Sequence, residues 1–152
     1  MARIDYGIAE LAAFATAFRL MAAFLVPNLA ARYVNERWSE LAPFALSGAR
    51  EVLPDEYLSR RPLVSGTIAI IEGNALADLG QKGRHDERNT GPLAQIVITH
   101  AEATDLASRV QGAGLVVDSR TYMPIVVARS AEVTMATDAD LFEELDRLRF
   151  AQ

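Results

Sequence analysis

The stretch LAAFATAFRLMAAFLVPNL, residues 11–29, decides how the first part of this chain folds. Almost all of it is apolar. At 100° per residue, the positions on one narrow stripe of a helix are Leu11, Phe14, Ala15, Phe18, Ala22, Leu25 and Leu29. Leu20 and Phe24 fall on roughly the opposite side. We therefore expect this helix to be covered on two sides, with another copy of the chain as the candidate for the second cover.

A membrane-spanning role for the same stretch is disfavoured, although its length is close to the ~20 residues that a span requires. Arg19 lies near its middle, where a charge costs about 2.5–3.5 kcal/mol on insertion, and Pro27 interrupts its far end. Asp5 and Glu10 stand where a signal peptide carries positive charge. We predict a cytoplasmic protein with no membrane partner; a membrane protein anchored by residues 8–29 is the alternative.

Composition favours an ordinary globular protein. The 152 residues fit a single domain over 1–152, and 51% hydrophobic with 23% charged residues excludes wholesale disorder. No cysteine is present, which excludes disulfides, thiolate zinc sites and a cysteine nucleophile. Nonspecific binding to nucleic acid requires a basic surface that contacts the phosphates. Because the net charge is −5, we expect no direct nucleic-acid binding.

The pattern divides the chain into a helical segment over 1–59 and a mixed portion over 60–152. The first segment is predicted to contain a helix over 6–26, a second helix over 28–41 that Pro43 ends, and a loop at Ser47 and Gly48. Either a short helix over 49–53 or a turn over 54–57 follows. Pro27 lacks an amide donor, so it either kinks the first helix or starts a new one.

The second portion alternates strand and helix patterns. We predict strands over 63–71, 93–99, 115–118 and 122–128, a helix after Thr99 with Glu102 completing a capping box, and a final helix over 138–150 capped by Thr137. Residues 93–118 then form one βαβ unit with parallel strands. The predicted fold class is α+β, a helical segment followed by a small mixed sheet of about four strands; α/β is the alternative.

Three ionisable residues lie at the carboxyl ends of predicted strands: Glu72, His100 and Asp118. Ligands collect beyond the carboxyl ends of parallel strands, so a histidine between two carboxylates there is a candidate general base or ligand site. The structural explanation is favoured, because each residue type is also common where a loop, a capped helix or a turn begins.

A second candidate lies in the long polar segment 72–92, where His85, Asp86 and Glu87 offer metal-ligating groups. Adjacent side chains rarely face one way, and the chain's one other histidine, His100, is not at a ligand spacing. A solvated loop is therefore favoured, and we predict no metal and no cofactor. Loops of this length are nevertheless uncommon unless they are functional or disordered.

The function predicted from these features is a non-catalytic structural or assembly subunit that acts as a homo-oligomer. The plain mixed composition also suggests a virus-particle component such as a head–tail connector or terminator ring. The expected interface residues are Phe14, Phe18, Leu20, Phe24 and Phe150. A small α/β enzyme or ligand-binding domain, with its site at the strand ends near His100 and Asp118, is the alternative.

Overall fold

Six α-helices and a three-stranded antiparallel sheet make up the part of the chain that the computed structural model describes, namely residues 6–23, 26–72 (backbone only at residue 72), 96–101, 105–106 and 114–150. The helices are α1 (Ile8–Ala22), α2 (Pro27–Glu36), α3 (Trp38–Gly48), α4 (Asp55–Arg60), α5 (Met123–Thr134) and α6 (Asp138–Arg149). The strands are β1 (Ile68–Glu72), β2 (Ile96–Thr99) and β3 (Gly114–Asp118). The α+β class is confirmed, but the fourth strand is not.

Helix α1 buries a different face from the one expected. Its buried side chains are Ile8, Ala12, Thr16 and Leu20, whereas Phe14 and Phe18 are exposed. Small residues at positions 12 and 16 let the helix axis approach the core closely, and this outweighs the larger apolar area of the phenylalanines. The expected assignment of Leu20 to an outer face is therefore wrong, since Leu20 is only 1% exposed within its own chain.

Proline affects the next two helices in different ways. Pro27 occupies the first turn of α2, where no amide donor is needed, so it starts a new helix, which is one of the two predicted alternatives. The prediction that Pro43 ends a helix is wrong: the break comes at Arg37, and Pro43 lies inside α3. Ser47 and Gly48, expected to form a loop, are the last residues of α3. Burial of most side chains of α3 offsets the helix interruption that a proline normally causes.

β1 is the central strand, in the order β2-β1-β3, and it runs antiparallel to both neighbours. One face of the sheet joins the helical core through Ala69 and Ile71 of β1 and Val117 of β3. β2 and β3 run in the same direction but are separated by β1. The predicted direct parallel pairing within residues 93–118 is therefore wrong, and the helix predicted after Thr99 falls largely outside the described residues.

Residues 122–128, predicted to form an edge strand, instead enter helix α5. The 3-10 turn Ser119–Thr121 follows β3 directly, and Asp118 caps it by accepting the Arg120 amide hydrogen at 3.0 Å. Pro124 then stands in the first turn of α5, a position that favours proline in a helix. Val127 is buried there, so tertiary packing overrides the β propensity of the Ile-Val-Val run.

The final helix agrees closely with its prediction. Thr137 and Asp140 form a reciprocal capping box at the start of α6, and Leu141, Leu145 and Leu148 are buried. A carboxylate oxygen of Glu144 accepts the Ile8 amide hydrogen at 3.1 Å, so α6 also caps the beginning of α1. This bond joins residues 136 positions apart and fixes the first helix against the last.

Gly48 and Ser119 approach each other very closely in the described core. A Cβ atom on Gly48 would lie 2.4 Å from the Ser119 Oγ and 2.5 Å from its carbonyl carbon. That hydroxyl lies 2.9 Å from the Phe44 carbonyl oxygen and 3.0 Å from the Thr67 carbonyl oxygen. The end of α3, the residue before β1 and the turn before α5 therefore meet at one fully buried serine.

We expect Gly48→Ala to lower the free energy of unfolding by about 2–3 kcal/mol, because a methyl group at this position overlaps backbone as well as side-chain atoms of Ser119. Urea denaturation followed by circular dichroism measures the change. Gly7→Ala is the matched control, since its Cβ would meet only the flexible carboxylates of Glu10 and Glu144. Equal stability losses for the two variants would contradict the proposed close contact.

Candidate functional site

The predicted strand-end site is divided by the sheet topology. Ile68 of β1 pairs with Thr99 on one side and with Asp118 on the other. The carboxyl ends of β2 and β3 therefore lie at the same end of the sheet, about 9–10 Å apart on either side of β1. Glu72 pairs with Gly114 at the opposite end of the sheet. The parallel arrangement on which convergence of Glu72, His100 and Asp118 depended is therefore absent.

Asp118 has a local structural role at its strand end. Besides capping the 3-10 turn, its carboxylate accepts a hydrogen bond from the Arg120 guanidinium at 2.7 Å. His100 is exposed and directly follows β2. The residues His85, Asp86 and Glu87 lie outside the described part of the chain, and within that part no group of three His, Cys, Asp or Glu side chains is arranged to hold a metal ion.

A broad apolar groove with a volume of about 920 Å³ lies between α1 and α5. We call it the α1–α5 groove. Its α1 side is formed by Tyr6, Leu11, Phe14, Ala15 and Phe18. Its α5 side is formed by Ile125, Val126, Arg129, Ser130, Val133 and Thr134.

Large apolar side chains on both walls of the α1–α5 groove face solvent. Phe18 is 66% exposed on α1, and Ile125 and Val133 are 63% and 80% exposed on α5. Phe14 and Tyr6 are each about half exposed and pack edge to face. Together these five residues expose on the order of 500 Å², toward the upper end of the largest apolar patch on a typical monomer. Patches of this size commonly bind another molecule.

The structure does not bring the expected interface residues together on one surface. Phe14 and Phe18 lie on the α1–α5 groove, Leu20 is buried in the core, and Phe24 is outside the described residues. Phe150 follows α6 and is 68% exposed, with the Arg149 guanidinium stacked over its ring. It is not part of the groove lining.

The α5 wall was missed in the sequence because residues 122–128 were assigned to a strand. A helical spacing was nevertheless present: Ile125, Arg129 and Val133 recur every four residues, which places them on one face of a helix. Proline just before this series is the accompanying sign of a helix start.

A buried hydrogen bond anchors α5 against α1 at one end of the groove. The Thr16 hydroxyl donates to the Ala12 carbonyl oxygen at 2.8 Å, so it accepts from the Tyr122 hydroxyl, also at 2.8 Å. The Arg19 guanidinium lies over the Tyr122 ring. Burial raises the pKa of the Tyr122 phenol to about 12. The phenol is therefore a neutral structural donor at physiological pH.

A second cluster of side chains, which was also not predicted from the sequence, joins α4 to α6 through an ion pair and aromatic rings in contact. Arg61 forms an ion pair with Asp146, and its guanidinium stacks on Phe142, whose ring meets Tyr57 edge to face. Burial, with a smaller contribution from Asp146, raises the pKa of Tyr57. The cluster ties α4 to the last helix, and we assign it a structural role.

Comparison with protein-family models, with curated proteins and with solved structures finds no match for this chain. In the described part of the chain, no helix has both the length and the apolar character needed to cross a membrane.

We expect Tyr122→Phe to lower the free energy of unfolding by about 1 kcal/mol at pH 7, because it removes the donor to Thr16. Tyr33→Phe is the matched comparison: its hydroxyl is equally buried but has no hydrogen-bond partner among the described residues, so its removal should be neutral or stabilising. Urea denaturation of both variants tests this; the opposite ranking would contradict the assigned bond.

Alkaline pH should destabilise the protein through the same two phenols. Burial raises the pKa of both Tyr33 and Tyr122 from 10.0 to about 12. The folded state holds these two protons more tightly than the unfolded state does, so the free energy of unfolding is unaffected by them below pH 10. It falls as the pH rises from 10 through 12, by on the order of 2 kcal/mol for each phenol. The double variant Tyr33→Phe/Tyr122→Phe should show a shallower decline in urea midpoint between pH 9 and 11.5. Parallel pH profiles for variant and wild type would refute this.

Proposed function

We propose that this protein is a non-catalytic assembly subunit that associates with copies of itself through the α1–α5 groove. The observation that carries the proposal is the exposure of Phe14 and Phe18 on α1 beside Ile125 and Val133 on α5. Covering such side chains removes apolar area from water at roughly 25 cal/mol per Å², which is the usual driving force for protein association. The strand-end residues offer no comparable support for an enzyme.

Two narrower parts of the proposal rest on the sequence alone. Assembly in the cytoplasm, without nucleic acid or membrane as direct partners, follows from the net charge of −5 and from Arg19 within the apolar stretch. A ring of copies, as in the virus-particle connectors suggested by composition, is one form that self-association takes. The mass of the particle in solution distinguishes a ring from a smaller oligomer.

We expect Phe18→Asp to shift the chain from an oligomer to a monomer of 16.6 kDa at micromolar concentration, because it places a charge in the apolar contact. Light scattering coupled to size-exclusion chromatography gives the mass. Stability should change by less than about 0.5 kcal/mol, since the side chain is exposed in the single chain.

Val64→Asp is the matched control, because Val64 is similarly exposed, at 71%, but does not line the groove. It should keep the mass of the wild-type oligomer. A wild-type chain that is monomeric at tens of micromolar would overturn the proposed function, and equal dissociation by both variants would overturn the assignment to this surface.

A further inference from the structure

We infer that the partner at the α1–α5 groove is a second copy of this chain related by a two-fold axis, so that α1 and α5 of the two copies form a four-helix contact. This inference rests on the proposed function and specifies its geometry. It commits to a closed pair, which is a different outcome from the ring suggested by composition.

The shape of the groove suits a pair of helices as its occupant. Tyr122, just before α5, contacts Thr16 in the second half of α1, while the groove extends to Tyr6 before α1 and to Thr134 at the end of α5. The two helices therefore run side by side and antiparallel. The 12 residues of α5 span about 18 Å, a length that a helix of the other copy can follow.

The same surface supplies both a ridge and a groove. Phe14 and Phe18 project from α1, and the concave strip beside them is walled by Ile125 and Val133 of α5. A two-fold contact requires one self-complementary patch, in which the ridge of each copy enters the groove of the other. A ring requires two different complementary patches. Half of the large apolar side chains found exposed among the described residues lie on this one surface, which favours the two-fold contact.

The size of the apolar patch is also appropriate for a pair. Stable interfaces bury about 800 Å² per partner, of which the exposed apolar side chains here supply on the order of 500 Å². A polar rim normally provides the remainder, and Arg129, which lines the groove and is paired with Glu132, is a candidate member of it.

Charge at the groove permits two copies of an acidic chain to meet. The formal net charge is −5, so contact through most surfaces brings like charges together. At the groove, the Arg129 guanidinium and the Glu132 carboxylate are paired at 2.6 Å, so these two side chains add no net charge there. In a two-fold contact that places this pair near the axis, Arg129 of each copy can pair with Glu132 of the other without adding net charge.

Spin labelling tests this arrangement directly, because the chain contains no cysteine and a single introduced thiol is unique. Ala128→Cys places a nitroxide on an exposed position of α5 beside the groove and leaves Arg129 and Glu132 intact. Electron–electron double resonance should give one distance of about 20–35 Å, since helices in contact lie with axes 8–10 Å apart and two label tethers add to that. The modulation depth should correspond to two spins, and the particle mass to two chains.

Adding Phe18→Asp to the labelled chain should abolish the distance, and adding Val64→Asp should preserve it. A mass above two chains, or several distances for one label, would overturn the two-fold inference while leaving self-association intact. A pair of chains whose distance persists with Phe18→Asp would place the contact on another surface and also overturn it. A wild-type monomer would overturn the proposed function itself.

Discussion

The packing of helices in this protein depends on the close approach of Gly48 to Ser119. Because no side chain stands at position 48, the end of α3 reaches the turn that follows β3. The buried Ser119 hydroxyl there lies within hydrogen-bond distance of carbonyl oxygens from two separate segments. That contact fixes where the chain leaves the sheet and where α5 begins. The direction of α5, and with it the wall of the groove, follows from this junction.

The two sides of α1 perform different tasks because of the sizes of their side chains. Ala12 and Thr16 are small enough to let the helix pack tightly, and the Thr16 hydroxyl is satisfied by a carbonyl of its own helix and by Tyr122. The phenylalanines are left facing outward. A helix that was free to bury its largest apolar area would turn the other way. The core contacts of Ala12 and Thr16 therefore offset the free-energy cost of leaving the aromatic face exposed.

Local signals predicted several elements correctly, and long-range constraints account for the failures. The cap at Thr137 was confirmed, and of the two alternatives for Pro27 the start of a new helix is the one observed; both depend on residues within one or two turns. Strand order depends on which segments meet in space, so the insertion of β1 between β2 and β3 was not predictable. Pro43 and residues 122–128 were misassigned because tertiary burial outweighed local preference. For the candidate site, Phe14 and Phe18, which line the groove, were named from the sequence, but the facing wall on α5 was not.

The hydrogen bond between Glu144 and the amide of Ile8 has a consequence for synthesis in the cell. α1 packs against α2 and α3, which follow it closely in the chain, but it also contacts α5 and α6, so the ribosome must release more than 120 residues beyond α1 before that helix has all of its neighbours. Throughout that interval the side of α1 that α5 and α6 later contact faces the surroundings. The nascent chain is therefore a natural client for chaperones that bind apolar segments, and its yield should depend on how quickly translation reaches the last helix.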